Sequence, residues 1–324
     1  MKVNICGNRF QTLDGNWERI LNVIIASFIE LDIECCVSNY LQFNTPYKVT
    51  KGIIDSNDDI YLYNHTYLED ILANNFNTGK KTLFFKPTAP TPDYFSLDIE
   101  GYACASDITY NKPLFTDVDE TKFFKTKVKE FKTERVNKWS ESKDLQFSRV
   151  KNIPKDHILI LGQMPGDETV TKFSFGSHWQ KVVEIVNFLK KDYNIVLKIH
   201  PTLKPKDAWI YYQSTIDAWE KEGVIVFSGF ESLHDILPHT KVAITENSTS
   251  GIECMMYDVP IISYGYPEYH WITKDLRHLQ KIKEYINNLS WFNKLLSRKW
   301  LAWYCLNYLC YNKETTIARL KTIL

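Results

Sequence analysis

The stretch His157-Ile158-Leu159-Ile160-Leu161-Gly162-Gln163-Met164-Pro165-Gly166-Asp167 decides the fold class. HILIL (His157–Leu161) is a nearly continuous apolar run, the pattern of a strand covered on both faces, and the Gly and Pro behind it end the strand in a loop. The same unit recurs downstream as IVLKI (Ile195–Ile199), VIVF (Val224–Phe227), Val242–Thr245 and PIISY (Pro260–Tyr264). Helical patterns over Ser177–Lys191 and Asp207–Lys221, a short one from Ser232, and another over Thr249–Tyr257 separate these runs. Five strands alternating with helices within about 110 residues predict a doubly wound, Rossmann-like α/β domain.

The N-terminal half reads as a second α/β lobe. KVNIC (Lys2–Cys6) precedes a helix from near Asn16, with Trp17, Ile20, Leu21, Ile24, Ile25 and Phe28 on one apolar stripe. Ile33–Val37, Asp59–Tyr63 and Lys81–Phe85 read as further strands, the last running into PTAPTP. Residues 118–156 are dense in Lys, Glu and Ser and predict a charged helix with a linker. The expected domains are 1–152, 153–275, and a helical tail over 276–324. In that tail, Trp291, Phe292, Trp300, Trp303, Tyr304 and Tyr308 alternate with Lys294, Arg298 and Lys299. Two readings fit: packing back across the lobes, or a peripheral face against a membrane surface.

Composition narrows the function classes. The 324 residues carry 39 Lys+Arg and 39 Asp+Glu, a net charge of zero, which argues against non-specific nucleic-acid binding. No signal peptide or membrane-spanning run is legible. The seven cysteines lack paired metal-ligand spacing. A cytoplasmic protein with reduced thiols and no structural zinc site is expected, acting in solution or at the inner face of a membrane. Aromatic residues are abundant (9 Trp, 19 Tyr and 18 Phe), and most are expected to fill cores.

Open α/β sheets bind ligands beyond the carboxyl ends of their strands, so three loops carry the functional reading. The first is Gly162 to Thr169, with Gln163 and Asp167. The second is His200-Pro201, preceded by Lys198 and followed by Lys204 and Lys206. The third is Glu246-Asn247-Ser248-Thr249-Ser250-Gly251-Ile252-Glu253. Ser248, Thr249 and Ser250 open a helix, where backbone N–H groups and hydroxyls suit a phosphate. Gly251 would permit close approach, and Glu253 one turn on would suit ribose hydroxyls. N-capping alone would also explain the serines. His200, helped by Lys198, suits a phosphate oxygen. Asp167 and Glu100 (in FSLDIEGY) are carboxylates for glycosyl chemistry, one a nucleophile and one a proton shuttle.

QMPGD (Gln163–Asp167), KIHP (Lys198–Pro201) and NSTSGIE (Asn247–Glu253) ahead of DVPIISYG, in that order, resemble the capsule polysaccharide biosynthesis family. That family includes the KpsC-like, retaining Kdo transferases. The likeness runs from about residue 95 to 270, and Glu100-Gly101 resembles the family's acidic-Gly element. The resemblance implies a GT-B-like glycosyltransferase: two Rossmann-like lobes, an interdomain cleft and no metal. It implies Asp167 as the catalytic carboxylate, Glu100 as an essential acid, His200-Pro201 on the nucleotide phosphate, and Ser248–Ser250 as phosphate-binding serines. The implied partners are a nucleotide-sugar co-substrate, CMP-Kdo first and a UDP-sugar as the alternative, and a surface-glycan or glycolipid acceptor.

Overall fold

A computed structural model describes residues 1–6, 15–38, 42–44, 48–50, 58–64, 80–135, 152–173, 176–200, 203, 209–227 and 231–324. The chain forms two compact units, Met1–Pro113 with Trp303–Leu324, and Leu114–Ala302.

In the first unit β1 (Lys2–Cys6), β2 (Glu34–Ser38), β5 (Ile60–Asn64) and β6 (Lys81–Pro87) run parallel, in the spatial order β6-β5-β1-β2. A small antiparallel pair, β3 (Gln42–Asn44) and β4 (Lys48–Thr50), intervenes in the chain. The edge beyond β6 is antiparallel: β7 (Phe95–Asp98) pairs with β6, and β14 (Leu309–Cys310) pairs with β7. Helix α1 (Gly15–Glu30) buries Ile20, Leu21, Ile24 and Phe28 against this sheet, with Trp17 and Ile25 partly buried beside them. That is the apolar stripe expected from period 3.6.

The second unit is wholly parallel, in the order β10-β9-β8-β11-β12-β13. The strands are β8 (His157–Leu161), β9 (Ile195–Lys198), β10 (Ile225–Phe227), β11 (Thr240–Thr245), β12 (Ile261–Ser263) and β13 (Lys274–Asp275). The order reverses direction at β8, as in a doubly wound sheet. All five residues of β8 are buried, which is why HILIL lacks polar alternation. Helix α3 (His178–Leu189), reached through the short α2 (Glu168–Thr171), buries Val182, Ile185, Val186 and Leu189. Then come α4 (Trp209–Lys221) and α5 (Gly251–Met256).

The compact units divide at 113/114 and 302/303, whereas the expected boundaries stood at 152 and 275. Physical ties explain the division. Within Leu114–Ala302, Arg135 pairs with Asp235, and the Lys132 ammonium lies 4.3 Å from the Tyr257 ring centre. Arg298 grips Asp258 through two 2.6 Å hydrogen bonds. Within the other unit, β14 returns to the sheet edge, and Lys313 of the terminal helix α7 (Lys313–Ile323) pairs with Glu30 at 2.7 Å. The tail therefore divides between the units and is not uniformly helical, since β14 interrupts it.

Of its named aromatics, Trp300 on α6 (Lys294–Trp303), Tyr304 and Tyr308 are essentially inaccessible, and Trp291, Phe292 and Trp303 are half-buried. The cations assigned to a membrane face are engaged as well, Arg298 and Lys294 by Asp258 and Lys299 by the Thr116 carbonyl. Trp300, Tyr304 and Tyr308 are packed inside, and contact with a membrane is not shown. Among the described residues no helix is long and apolar enough to cross a membrane. All seven cysteines are free thiols.

Candidate functional site

Register places three of the expected loops side by side. Leu161 at the end of β8 pairs with Lys198 at the end of β9 and with Thr245 at the end of β11. Adjacent strands lie about 4.8 Å apart, so Gly162-Gln163, Ile199-His200 and Glu246-Asn247 leave one sheet edge together. Gly162 sits where a Cβ would come within 3.3 Å of the Lys198 carbonyl oxygen.

Two of these loops are joined by direct bonds. The Gln163 amide donates through Nε2 to Asn247 Oδ1 at 2.6 Å, and the Asn247 backbone N–H donates to Gln163 Oε1 at 2.9 Å. Asn247 Nδ2 donates to the Thr169 carbonyl at 2.7 Å. Asp167 caps α2: its Oδ1 accepts from the Thr169 N–H at 2.9 Å and from the Thr169 hydroxyl at 2.5 Å. The nucleophile candidate is thus half-buried and fixed by the turn it starts, and that turn is tied to Asn247. Lys198 is buried and His200 half-buried on the next loop. Pro201, Lys204 and Lys206 lie outside the described residues.

The serine loop differs in detail from its expected form. α5 begins at Gly251, and Ser250 at its N-cap makes no side-chain capping bond. Ser248 Oγ instead accepts from the Ser250 N–H at 3.2 Å, while the Ser248 N–H donates to Thr245 Oγ1 at 3.2 Å. At Gly251 the space that a side chain would take is filled by Tyr269. A Cβ there would fall 2.2 Å from Cζ and Oη of Tyr269, whose hydroxyl donates to the Ser248 carbonyl. The close approach that Gly251 permits is that of Tyr269. Thr249 remains partly exposed, whereas Glu253 is buried within α5.

Glu100 belongs to the first unit, in the loop after β7. Fully buried Asp98 organises that loop: its Oδ1 accepts from the backbone N–H groups of Glu100 (2.8 Å), Gly101 (3.2 Å) and Asp107 (3.0 Å). Its Oδ2 accepts from the Tyr308 hydroxyl at 2.6 Å. Burial pushes the Asp98 carboxyl up, against these hydrogen bonds. Partial burial, then the neighbouring Asp98 and Asp107, raise the Glu100 carboxyl above its ordinary value. A raised carboxyl suits a group that must both take and release a proton near neutral pH.

Sequence reasoning missed the residues that hold these loops. His178, the first residue of α3, accepts the Gln163 N–H at Nε2 (2.9 Å) and meets Glu246 Oε2 through Nδ1 (2.5 Å). Tyr264 stacks on the His178 ring, with centroids 6.3 Å apart and planes 20° apart. Gly265 seats closely on Glu246, its missing Cβ only 2.8 Å from the carbonyl oxygen. The one signal in the sequence was Ser177 as a helix cap ahead of His178, which says nothing of a partner 68 positions away. Glu246, Tyr264 and Gly265 also line a cavity of about 470 Å³ with Lys181, Glu184 and Arg277, a size typical of small-molecule sites. Among the described residues no three of His, Cys, Asp and Glu are gathered as a metal-binding group.

A sequence profile described as capsule polysaccharide biosynthesis protein matches residues 115–285, over half of the chain. The chain belongs to this family. The match spans all three loops, so the capsule-family segment coincides with the second unit and its strand-end site. Among solved structures, the Thermosulfurimonas dismutans KpsC beta Kdo 2,7 transferase aligns with a TM-score of 0.58 at 16% identity, covering 99% of each chain. The T. dismutans KpsC beta Kdo 2,4 transferase aligns with a TM-score of 0.58 at 14% identity, covering 99% of this chain and 98% of that one. These likenesses establish a shared GT-B-like α/β fold. No curated protein matches by sequence.

Proposed function

We propose that this capsule-family protein is a metal-independent, retaining glycosyltransferase that moves a sugar from a nucleotide-sugar, CMP-Kdo in the first place, onto a surface-glycan acceptor. The observation that carries the reading is the strand register: Asp167, His200 and the Ser248–Ser250 loop all issue from adjacent parallel strands at one sheet edge. Asp167 attacks the anomeric carbon as the bond from that carbon to the phosphate oxygen breaks. Lys198, His200 and the donors of the Ser248 loop offset the charge on the departing nucleotide. The acceptor hydroxyl then displaces Asp167 and gives up its proton to a general base. Two inversions at one carbon leave its configuration retained. Gln163 and Asn247 fix the Asp167 turn.

The test is a melting-temperature panel with CMP, UDP, GDP and their sugars, followed by a transfer assay on the best donor. A ligand that binds the folded state at 100 times its Kd adds about 2.7 kcal/mol of stability. CMP and CMP-Kdo are expected to give the largest shift, and a larger shift with UDP would move the donor to a UDP-sugar. Asp167→Asn is expected to keep nucleotide binding and lose transfer by about a thousandfold. Full transfer by that variant overturns the covalent mechanism. Binding without transfer by the native protein makes it a nucleotide-sugar binder.

A further inference from the structure

The pair His178–Glu246 closes a hydrogen-bonded ring around the two loops. A backbone N–H can only donate, so the 2.9 Å bond from Gln163 N requires an unprotonated Nε2 on His178. Nδ1 then carries the ring proton and donates it to Glu246 Oε2 at 2.5 Å. From Glu246 the chain steps one peptide to Asn247, which exchanges two hydrogen bonds with the Gln163 side chain. The circuit therefore runs Gln163 backbone, His178, Glu246, Asn247 and back to Gln163.

Both chemical loops hang from it, the Asp167 turn through Asn247 Nδ2 and the Thr169 carbonyl, and the serine loop through the residue after Asn247. The His178 and Glu246 side chains are 1% exposed. An ion that deep is retained at a cost unless its hydrogen bonds are met, and apolar residues would fill the space more stably.

We propose that His178 and Glu246 are positioning residues for the transfer reaction. On this view the neutral imidazole and its carboxylate set the spacing between the Asp167 turn and the serine loop, and so between the carbon that is attacked and the phosphate that leaves. The proposal rests on the glycosyltransferase reading. Displacing a reacting group by about 1 Å costs about a hundredfold in rate, while nucleotide contacts on other loops are spared.

Four variants test it in the full-length protein: His178→Phe, His178→Gln, Glu246→Gln and Glu246→Ala. Gln at 178 can still offer an oxygen to the Gln163 N–H, whereas Phe fills the space without an acceptor. Expected are a kcat about a hundredfold lower for His178→Phe and about tenfold regained in His178→Gln, with donor KM changing by less than kcat in each. Glu246→Gln, which keeps an acceptor oxygen, should outperform Glu246→Ala. In folded variants, unchanged kcat, or a kcat loss that His178→Gln fails to relieve, overturns the proposal.

Nitrogen-15 histidine NMR of the native protein gives a readout independent of activity and of variant folding. A His178 ring protonated at Nδ1 alone is expected, and an Nε2–H tautomer or an imidazolium overturns the proposal. Absence of transfer by the native protein with every donor overturns the functional reading itself. Transfer by the native protein that folded His178→Phe retains overturns the positioning role alone.

Discussion

Asp98 shows how one side chain can set the chemistry of another. It is a fully buried carboxylate that uses both oxygens, one to gather three backbone N–H groups of the loop bearing Glu100 and one to hold Tyr308. Burial and the charges of Asp98 and Asp107 together raise Glu100. If Glu100 accepts the acceptor's proton, activity rises as pH passes upward through its pKa. In Asp98→Asn one of the two raising charges is gone, so the acid limb of the pH–rate profile should move to lower pH. A profile recorded beside a melting curve separates this shift from loss of fold, and an unmoved limb removes Glu100 from the proton-transfer step. Asp98 was not legible as an anchor because its full burial and its bond from Tyr308, 210 positions away, leave no local trace in the sequence.

At the scale of an element, the start of α5 is decided by packing rather than by capping. Ser248, Thr249 and Ser250 read as a capping cluster, yet Ser250 caps nothing through its side chain and Gly251 is required by the Tyr269 ring. Gly251→Ala forces its methyl into Cζ and Oη of Tyr269, and overpacking of this kind typically costs about 1–3 kcal/mol. The melting temperature should fall, and the serine loop, whose Ser248 carbonyl Tyr269 holds, should lose nucleotide affinity with it. Opening space with Tyr269→Ala should make the double variant more stable than the sum of the two single losses. Strict additivity in urea unfolding would show that the two residues do not press on each other.

For the whole molecule, the first unit is built from two distant pieces of chain. Trp303–Leu324 supplies β14 at the sheet edge, the Tyr308 hydroxyl for Asp98, Leu320 in the core and an Arg319 Nε bond to the Leu97 carbonyl at 2.9 Å. Truncation after Ala302 would bury Asp98 without its hydroxyl partner, at about 1–3 kcal/mol, and would strip the apolar cover from α1 and β7. Soluble yield should drop, and amide exchange in β1, β5, β6 and β7 should accelerate. Slow exchange there in a truncated protein would refute the dependence.

The parallel strands, the stripe on α1 and the three strand-end loops were legible because each is a local pattern: apolar runs, period 3.6, and Gly or polar residues where a strand stops. Local sequence thus determined the α/β class, the inward stripe and the sheet edge from which the three polar loops leave. Strands as short as β13 and β14 carry too few residues to show a period. Only the tertiary structure decided that the tail splits between two units, that Asp98 rather than Glu100 is the deeply buried acid, and that His178 and Glu246 lock the loops together. Those outcomes depend on desolvation and hydrogen bonds between residues tens to hundreds of positions apart. Such pairings arise when the chain folds and leave no periodic trace in the sequence.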